Sequence, residues 1–362
     1  MTKRIFNFAA GPCTLPLPVL EQAQREFVEY QGAGMSIIEM SHRGKHVAAM
    51  HDKALATMRE VLAVPDDFHI LVLGGGATLQ FTMIPLNLAQ GGKRPAHVVA
   101  GAWGKKALED SKKLVHGYAA WSGKEEGYKR VPKDSELTIE PNTAYLHITT
   151  NETIGGIRHV APPKTDLPIV ADMSSEFASR PIDWSKYMAV YAGAQKNIGP
   201  AGLTVVIVRK DAIAHDTSHL GAYLRFSIHA EKDSMYNTPP VFQIYIMGKV
   251  LEWAKNNGGM EGMHTLSKRR AALIYDAIDH SDGYYRSPVN KDDRSLMNIV
   301  FRLPREELEA KFIEQASQRD MSGLKGHRDV GGCRASVYNA MPIEGAETLA
   351  DFMQTFRQAN PA

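Results

Sequence analysis

The chain has 362 residues, with 42 Lys+Arg against 40 Asp+Glu and so a formal net charge of +2. Its length suggests two domains, and 44% hydrophobic with 23% charged residues describes an ordinary globular chain, not a disordered one. So balanced a charge gives no electrostatic case for nucleic acid or an anionic membrane as the main partner, and two cysteines, Cys13 and Cys333, are too few for a disulfide framework or a thiolate metal cluster.

Helical periodicity is predicted over Val19 to Tyr30 and His46 to Leu62. Phe68 to Leu73 reads as a buried strand, stopped by Gly74-Gly75-Gly76 with a helical pattern beyond. Ala96 to Ala100 is the next, ending at Gly101, and Tyr145 to Thr149, Pro168 to Asp172, Met188 to Ala192 and Leu203 to Val208 follow. These runs lack polar alternation, as expected of strands covered by helices on both faces. The gaps leave room for crossover helices, so the fold class is α/β with a mostly parallel sheet. The strand from Leu203 follows Lys196 too closely for a helix, which opens an antiparallel course for it. Pro239-Pro240 opens a helix running to about Asn256 and stopped by Gly258-Gly259. Beyond about residue 260 the rhythm changes. A helix from Met263 to His280, a strand from Leu296 to Phe301, a helix from Arg305 to Arg319, a strand from Arg334 to Tyr338 and a helix from Glu344 to Arg357 form a smaller α+β unit. No apolar run approaches the ~18 residues of a membrane helix, and the charged start Met1 to Phe6 is followed by no signal-peptide stretch. The protein is therefore expected in the cytoplasm, with both thiols reduced.

The positions that could carry chemistry stand at strand ends. Lys196, in Ala192-Gly193-Ala194-Gln195-Lys196-Asn197-Ile198-Gly199-Pro200, lies just past an apolar strand among small residues. Ligands of open α/β sheets bind outside the carboxyl ends of strands. A lysine held there between low-dielectric walls has reason to lose its proton and act as an amine nucleophile; on an exposed loop it would be a solvated charge. Asp172, 24 residues upstream, also ends a strand. An amine and a carboxylate so placed match the needs of pyridoxal phosphate. The lysine would hold the aldehyde as a Schiff base and the aspartate would keep the pyridine nitrogen protonated, although a strand-end Asp also caps following helices. In Gly74-Gly75-Gly76-Ala77-Thr78-Leu79-Gln80, small residues open a helix and let backbone N–H groups approach a phosphate. The loop is neither GxGxxG nor a P-loop, so a single phosphate fits it better than a dinucleotide, with the Thr78 hydroxyl as an added donor.

The chain resembles the phosphoserine aminotransferases, a family of the fold-type-I, class V pyridoxal phosphate aminotransferases. The matching segments are Phe6 to Pro12, Met40 to Lys45, Asn151 to Gly156, Ala194 to Pro200, Tyr236 to Pro240, Leu324 to Arg328 and Gly332 to Ala340. They span the whole chain. The resemblance implies a mostly parallel seven-stranded sheet in a large cofactor-binding domain (16–260). It also implies a small C-terminal α+β domain (261–362) and an N-terminal segment (1–15) packed with the small domain. It makes Lys196 the Schiff-base lysine and Asp172 the partner of the pyridinium nitrogen. Trp103 would stack on the ring, Thr153 would bond the ring hydroxyl, and Ala77, Thr78 and Gln195 would hold the phosphate. Asn237 and Thr238 would reach that phosphate from the partner subunit of a homodimer. Arg334 would take the substrate α-carboxylate in two parallel hydrogen bonds. The pairs His42-Arg43 and His327-Arg328 would grip a second anionic end. Some family members carry Arg-Gly where Thr78-Leu79 stands, so a hydroxyl replaces a cation there.

The activity implied is a ping-pong transfer of the amino group of L-glutamate to 3-phosphohydroxypyruvate, giving O-phospho-L-serine and 2-oxoglutarate in serine biosynthesis. The family also aminates 4-phosphohydroxy-L-threonine's oxo acid on the route to pyridoxine. An aminotransferase for an unphosphorylated oxo acid is the alternative, against which the second His-Arg pair speaks. A cysteine desulfurase would need a mobile nucleophilic cysteine, and neither Cys13 nor Cys333 lies in an evident flexible loop. A nicotinamide dehydrogenase would need an acid near the end of the strand after the glycine loop, where Ala100-Gly101-Ala102-Trp103 stands instead. A binding protein without activity fits poorly with intact Lys196 and Asp172.

Overall fold

The computed structural model describes residues 4–328 and 330–361; the extreme ends of the predicted N-terminal and C-terminal divisions, residues 1–3 and 362, and residue 329 lie outside it. Chain order begins β1 (Phe6–Asn7), α1 (Leu17–Glu26), α2 (Lys45–Val61), β2 (Phe68–Leu73), α3 (Gly76–Leu88), β3 (Arg94–Val99), α4 (Ala102–Val115), β4 (Tyr118–Ser122) and β5 (Thr143–Thr149). It continues β6 (Asn151–Glu152), β7 (Ile157–Arg158), β8 (Ile169–Asp172), β9 (Tyr187–Gly193), β10 (Thr204–Arg209), α5 (Phe226–Glu231), α6 (Val241–Asn256) and α7 (Gly259–Asp279). The last part holds β11 (Asn298–Phe301), α8 (Glu306–Ser317), β12 (Met321–Ser322), β13 (Cys333–Ser336) and α9 (Ile343–Ala359).

Seven strands form one sheet in the order β2-β10-β9-β8-β5-β3-β4. Strand β10 runs antiparallel to both β2 and β9, and the remaining pairings are parallel. Six of the strands lie where the apolar runs place them. The seventh, β4, is an edge strand with Ala119 and Ser122 exposed, and its mixed pattern gave no run to read. Because only β10 is reversed, β2, β3, β5, β8 and β9 all end on the same edge. The glycine loop, Gly101, Thr149, Asp172 and the Lys196 loop therefore meet there.

The sheet is buried on both faces, which is why its strands read as unbroken apolar runs. On one side Ile70, Val72, Ile148, Val190 and Ile207 pack with residues of α1, α2 and α6, and on the other Tyr145, Val170, Tyr191 and Val206 pack with α3 and Phe226. A separate core gathers Ile274, Phe301, Phe312, Ala335 and Phe356, and Phe8 joins it as β1 pairs with β12. Helix α7 contributes Met260 and Met263 to the first core and Ala271, Ile274 and Ile278 to the last. Two helix limits differ from the periodicity. Helix α1 stops at Glu26, not Tyr30, because Phe27 and Val28, which lend the segment its pattern, face outward, and Gln31 and Gly32 at positive φ turn the chain. Helix α7 begins at Gly259, directly after the left-handed Gly258.

Candidate active site

A cavity of about 320 Å³ opens at the strand ends, within the range of small-ligand sites. Larger surface hollows exist, one of about 680 Å³ among Pro162, Lys186 and Arg209 and one of about 450 Å³ beside Lys45, His46, Lys53 and Glu252, but neither is lined by Asp172, Lys196 or Arg334. Of the sequence-predicted residues, Ala77, Thr78, Trp103, Thr153, Asp172, Gln195, Lys196, His327 and Arg334 line the 320 Å³ cavity. His42, Arg43, Arg328, Asn237 and Thr238 do not line it; Arg43, Asn237 and Thr238 are exposed.

Lys196 sits between β9 and β10 and is buried, its Nζ donating to Thr153 Oγ1 at 2.7 Å. Burial lowers its pKa from 10.5 to about 8, although Asp172 and Glu152 pull the other way, so the neutral amine is within reach near neutral pH. Asp172 closes β8 and accepts the Ser174 N–H at 2.8 Å. Burial raises its pKa, against the Ser174 bonds and the Lys196 charge. It joins no salt bridge among the described residues, so a cation against its carboxylate would be stabilised.

Helix α3 is preceded by Gly75 at φ +90, where an added Cβ would come within 2.4 Å of Leu79 Cδ2. The left-handed turn aims the first N–H groups of α3, which have no carbonyl behind them, at the cavity. Trp103, in the first turn of α4, has its ring centroid 5.7 Å from Lys196 Nζ. Arg334, from β13, donates through Nη1 to the Thr153 carbonyl at 3.3 Å. Trp103 Nε1, Thr149 Oγ1, Asn151 Oδ1 and Arg334 Nε are buried and unpartnered beside the same cavity. Orphaned polar atoms, a carboxylate awaiting a cation and a lysine of lowered pKa fit a polar, anionic heteroaromatic cofactor such as pyridoxal phosphate.

Glu152 is the residue that sequence reasoning missed. It is fully buried and accepts the N–H groups of Trp103 at 3.0 Å and Gly104 at 2.8 Å. Burial pushes its carboxyl up to about 7. The motif Asn151 to Gly156 contained it, but nothing in the sequence ties it to a helix 49 residues upstream. Both cysteines are free. Burial pushes the Cys13 thiol up to about 12 and raises Cys333 as well, which leaves neither with the thiolate that a desulfurase nucleophile requires.

Fold and cavity together are those of the class V, pyridoxal phosphate-dependent aminotransferases, whose family model (Aminotransferase class-V) matches residues 5–349. The phosphoserine aminotransferase of Niallia circulans is 48% identical over 360 residues, covering 99% of each chain. The solved phosphoserine aminotransferase of Bacillus circulans subsp. alkalophilus is similar with a TM-score of 0.97 at 47% identity, again over 99% of each chain. That of Trichomonas vaginalis, with PLP bound, gives 0.92 at 37% identity over 97% of this chain and 100% of the other. The chain belongs to the phosphoserine aminotransferase family.

Proposed function

We propose that this chain transfers the amino group of L-glutamate to 3-phosphohydroxypyruvate, yielding O-phospho-L-serine and 2-oxoglutarate. The convergence of the Lys196 amine, the Asp172 carboxylate and the Arg334 guanidinium on one cavity carries the reading. Bound pyridoxal phosphate would supply a carbonyl that accepts the amino group and a ring that takes up the electrons left at Cα.

The chain's own groups do the rest. Lys196 would hold the cofactor through Nζ, and its burial, which lowers the pKa of the free amine to about 8, suits the same Nζ to act as the base toward the proton on the amino acid Cα. Asp172 would face the ring nitrogen and keep it protonated. Trp103 would cover one ring face, and Thr153 would bond the ring hydroxyl. The first turn of α3 at Ala77 and Thr78 holds the phosphate, joined by Gln195. Asn237 and Thr238, exposed and outside this chain's own cavity lining, serve the cofactor phosphate of the second copy in a homodimer. Arg334 takes the α-carboxylate, while His327, Arg328, His42 and Arg43 bind the phosphate of the oxo acid or the distal carboxylate of glutamate. The chain reads as a large domain (16–260) around the sheet and a small one (261–362), with the N-terminal segment (1–15) belonging with the latter; the pairing of β1 with β12 and the place of Phe8 in the last core support this. The setting is the cytoplasm.

An absorption spectrum of the reconstituted enzyme tests this. A visible cofactor band that glutamate bleaches and 3-phosphohydroxypyruvate restores is the expected result. Restoration by an unphosphorylated oxo acid alone would replace the substrate assignment, and a band untouched by glutamate would remove the donor.

A further inference from the structure

Two groups read above as cofactor contacts, Trp103 and Thr153, come from elements far apart in the chain. Trp103 lies in the first turn of α4. Thr153 opens the turn between β6 and β7, the hairpin in which Glu152 pairs with Ile157. Glu152 stands immediately before Thr153, and its side chain crosses to α4. Oε2 accepts the Trp103 N–H at 3.0 Å and Oε1 the Gly104 N–H at 2.8 Å. Both carboxylate oxygens are thus used on the start of one helix, where the macrodipole favours an anion.

The surroundings are built around this side chain. A Cβ at Gly101 would lie 2.5 Å from Glu152 Cδ, and one at Gly104 would lie 2.9 Å from the Val98 carbonyl and 3.2 Å from Glu152 Oε1. Both positions are therefore restricted to glycine by close approach and not by φ; Gly101 is extended at −178. The hairpin end is fixed too, since Gly156 N–H bonds the Glu152 carbonyl at 2.8 Å. Burying a carboxylate without a cation in hydrogen-bond contact is costly, and a shorter neutral cap such as Ser or Asn would satisfy a helix start. Glu152 alone among these choices spans from the hairpin to α4 with two acceptors.

We infer that Glu152 is a positioning residue, clamping the Trp103 turn of α4 to the Thr153 hairpin and so fixing the two contacts between which the cofactor ring is held. This rests on the reading of Trp103 as the ring-stacking residue. Removal of one acceptor oxygen leaves an amide donor facing a backbone donor, so the Trp103 turn is pushed away while volume is conserved.

The test uses the reconstituted holoenzyme and two readouts apart from turnover: the rate of cofactor release and the visible circular dichroism of the bound cofactor. Glu152→Gln is expected to speed release about tenfold and weaken the dichroic band, the scale of one lost charged hydrogen bond. In a Trp103→Ala background the same substitution is expected to change release by clearly less than in the parent, because the share of its effect that runs through the Trp103 ring is already gone and only the share through Thr153 remains. Gly101→Ala, which drives a methyl against the carboxylate from the other side, is expected to reproduce the phenotype and serves if Glu152→Gln fails to fold. Release and dichroism unchanged in Glu152→Gln would overturn the inference, as would full additivity with Trp103→Ala. If Trp103→Ala itself left release unchanged, the stacking role would fall and this inference with it. Parent-like Glu152→Gln alongside a fast-releasing Trp103→Ala would overturn the clamp alone.

Discussion

Lys196 is held in a place that suits its reactivity and not its charge. Its ammonium loses hydration on burial and regains only part of that from Asp172 and Glu152, so its pKa falls from 10.5 to about 8. Between those values the unfolded chain binds more protons than the folded one, so stability of the cofactor-free protein rises with pH from about 8 to 10.5. Below pH 8 the full cost is present, roughly 3 kcal/mol from the size of the fall. Lys196→Met keeps the stem and removes the charge, at the loss of the bond to Thr153 Oγ1. We expect the cofactor-free variant to be about 2 kcal/mol more stable than the parent at pH 7, with the advantage shrinking toward pH 10.5. Denaturant unfolding at pH 7 and 10 checks this, and a variant less stable at pH 7 would contradict it. The same variant is expected to lose transamination, a trade of stability for activity found at many catalytic positions.

At the scale of elements, the site is made where strands hand over to helices. The α3 start depends on two left-handed residues, Gly75 at φ +90 and Gly76 at φ +66, and at Gly75 the contact with Leu79 excludes a side chain as well. Gly75→Ala is expected to cost about 1–3 kcal/mol of stability through backbone strain. It should also weaken binding of the cofactor phosphate, since the tilted first turn no longer aims its N–H groups together. Thermal unfolding and a cofactor titration read the two effects separately; an unchanged titration would remove the phosphate from this loop. The α4 start follows a different device, a carboxylate reaching in from the β6–β7 hairpin, which is why Gly101 and Gly104 flank Trp103.

At the scale of the whole molecule, the placement of Asn237 and Thr238 bears on assembly. They lie on the surface, outside the lining of this chain's cavity, and the proposed homodimer gives them a role in the second copy. Mixing Lys196→Ala subunits with subunits carrying Asn237→Ala and Thr238→Ala tests it. Each mixed dimer would regain one complete site, so a random equal mixture is expected to recover about a quarter of parent activity by isologous exchange. No recovery after verified subunit exchange would place both residues outside the partner's site. Within one chain, α7 belongs to the first core at Met260 and to the last at Ile278, so the two packed regions share a continuous helix instead of a linker.

Local pattern determined much of this protein. Apolar runs located six sheet strands, because strands buried on both faces leave no polar alternation. The short step from Lys196 to Leu203 opened the reversed course that β10 takes, because a crossover helix needs more chain. The strand-end positions of Lys196 and Asp172 already put an amine and a carboxylate on the ligand side of the sheet. The two-residue strands β1, β6, β7 and β12 were invisible, since so short a segment has no period. Edge strand β4 was missed because partial exposure mixes its residues. The sequence also could not order the strands or show that Arg334 and His327 reach the cavity from the C-terminal region while His42 does not. Nor could it join Glu152 to Trp103. Those relations depend on burial summed over distant segments, where the energy of one placement includes neighbours that no local window contains.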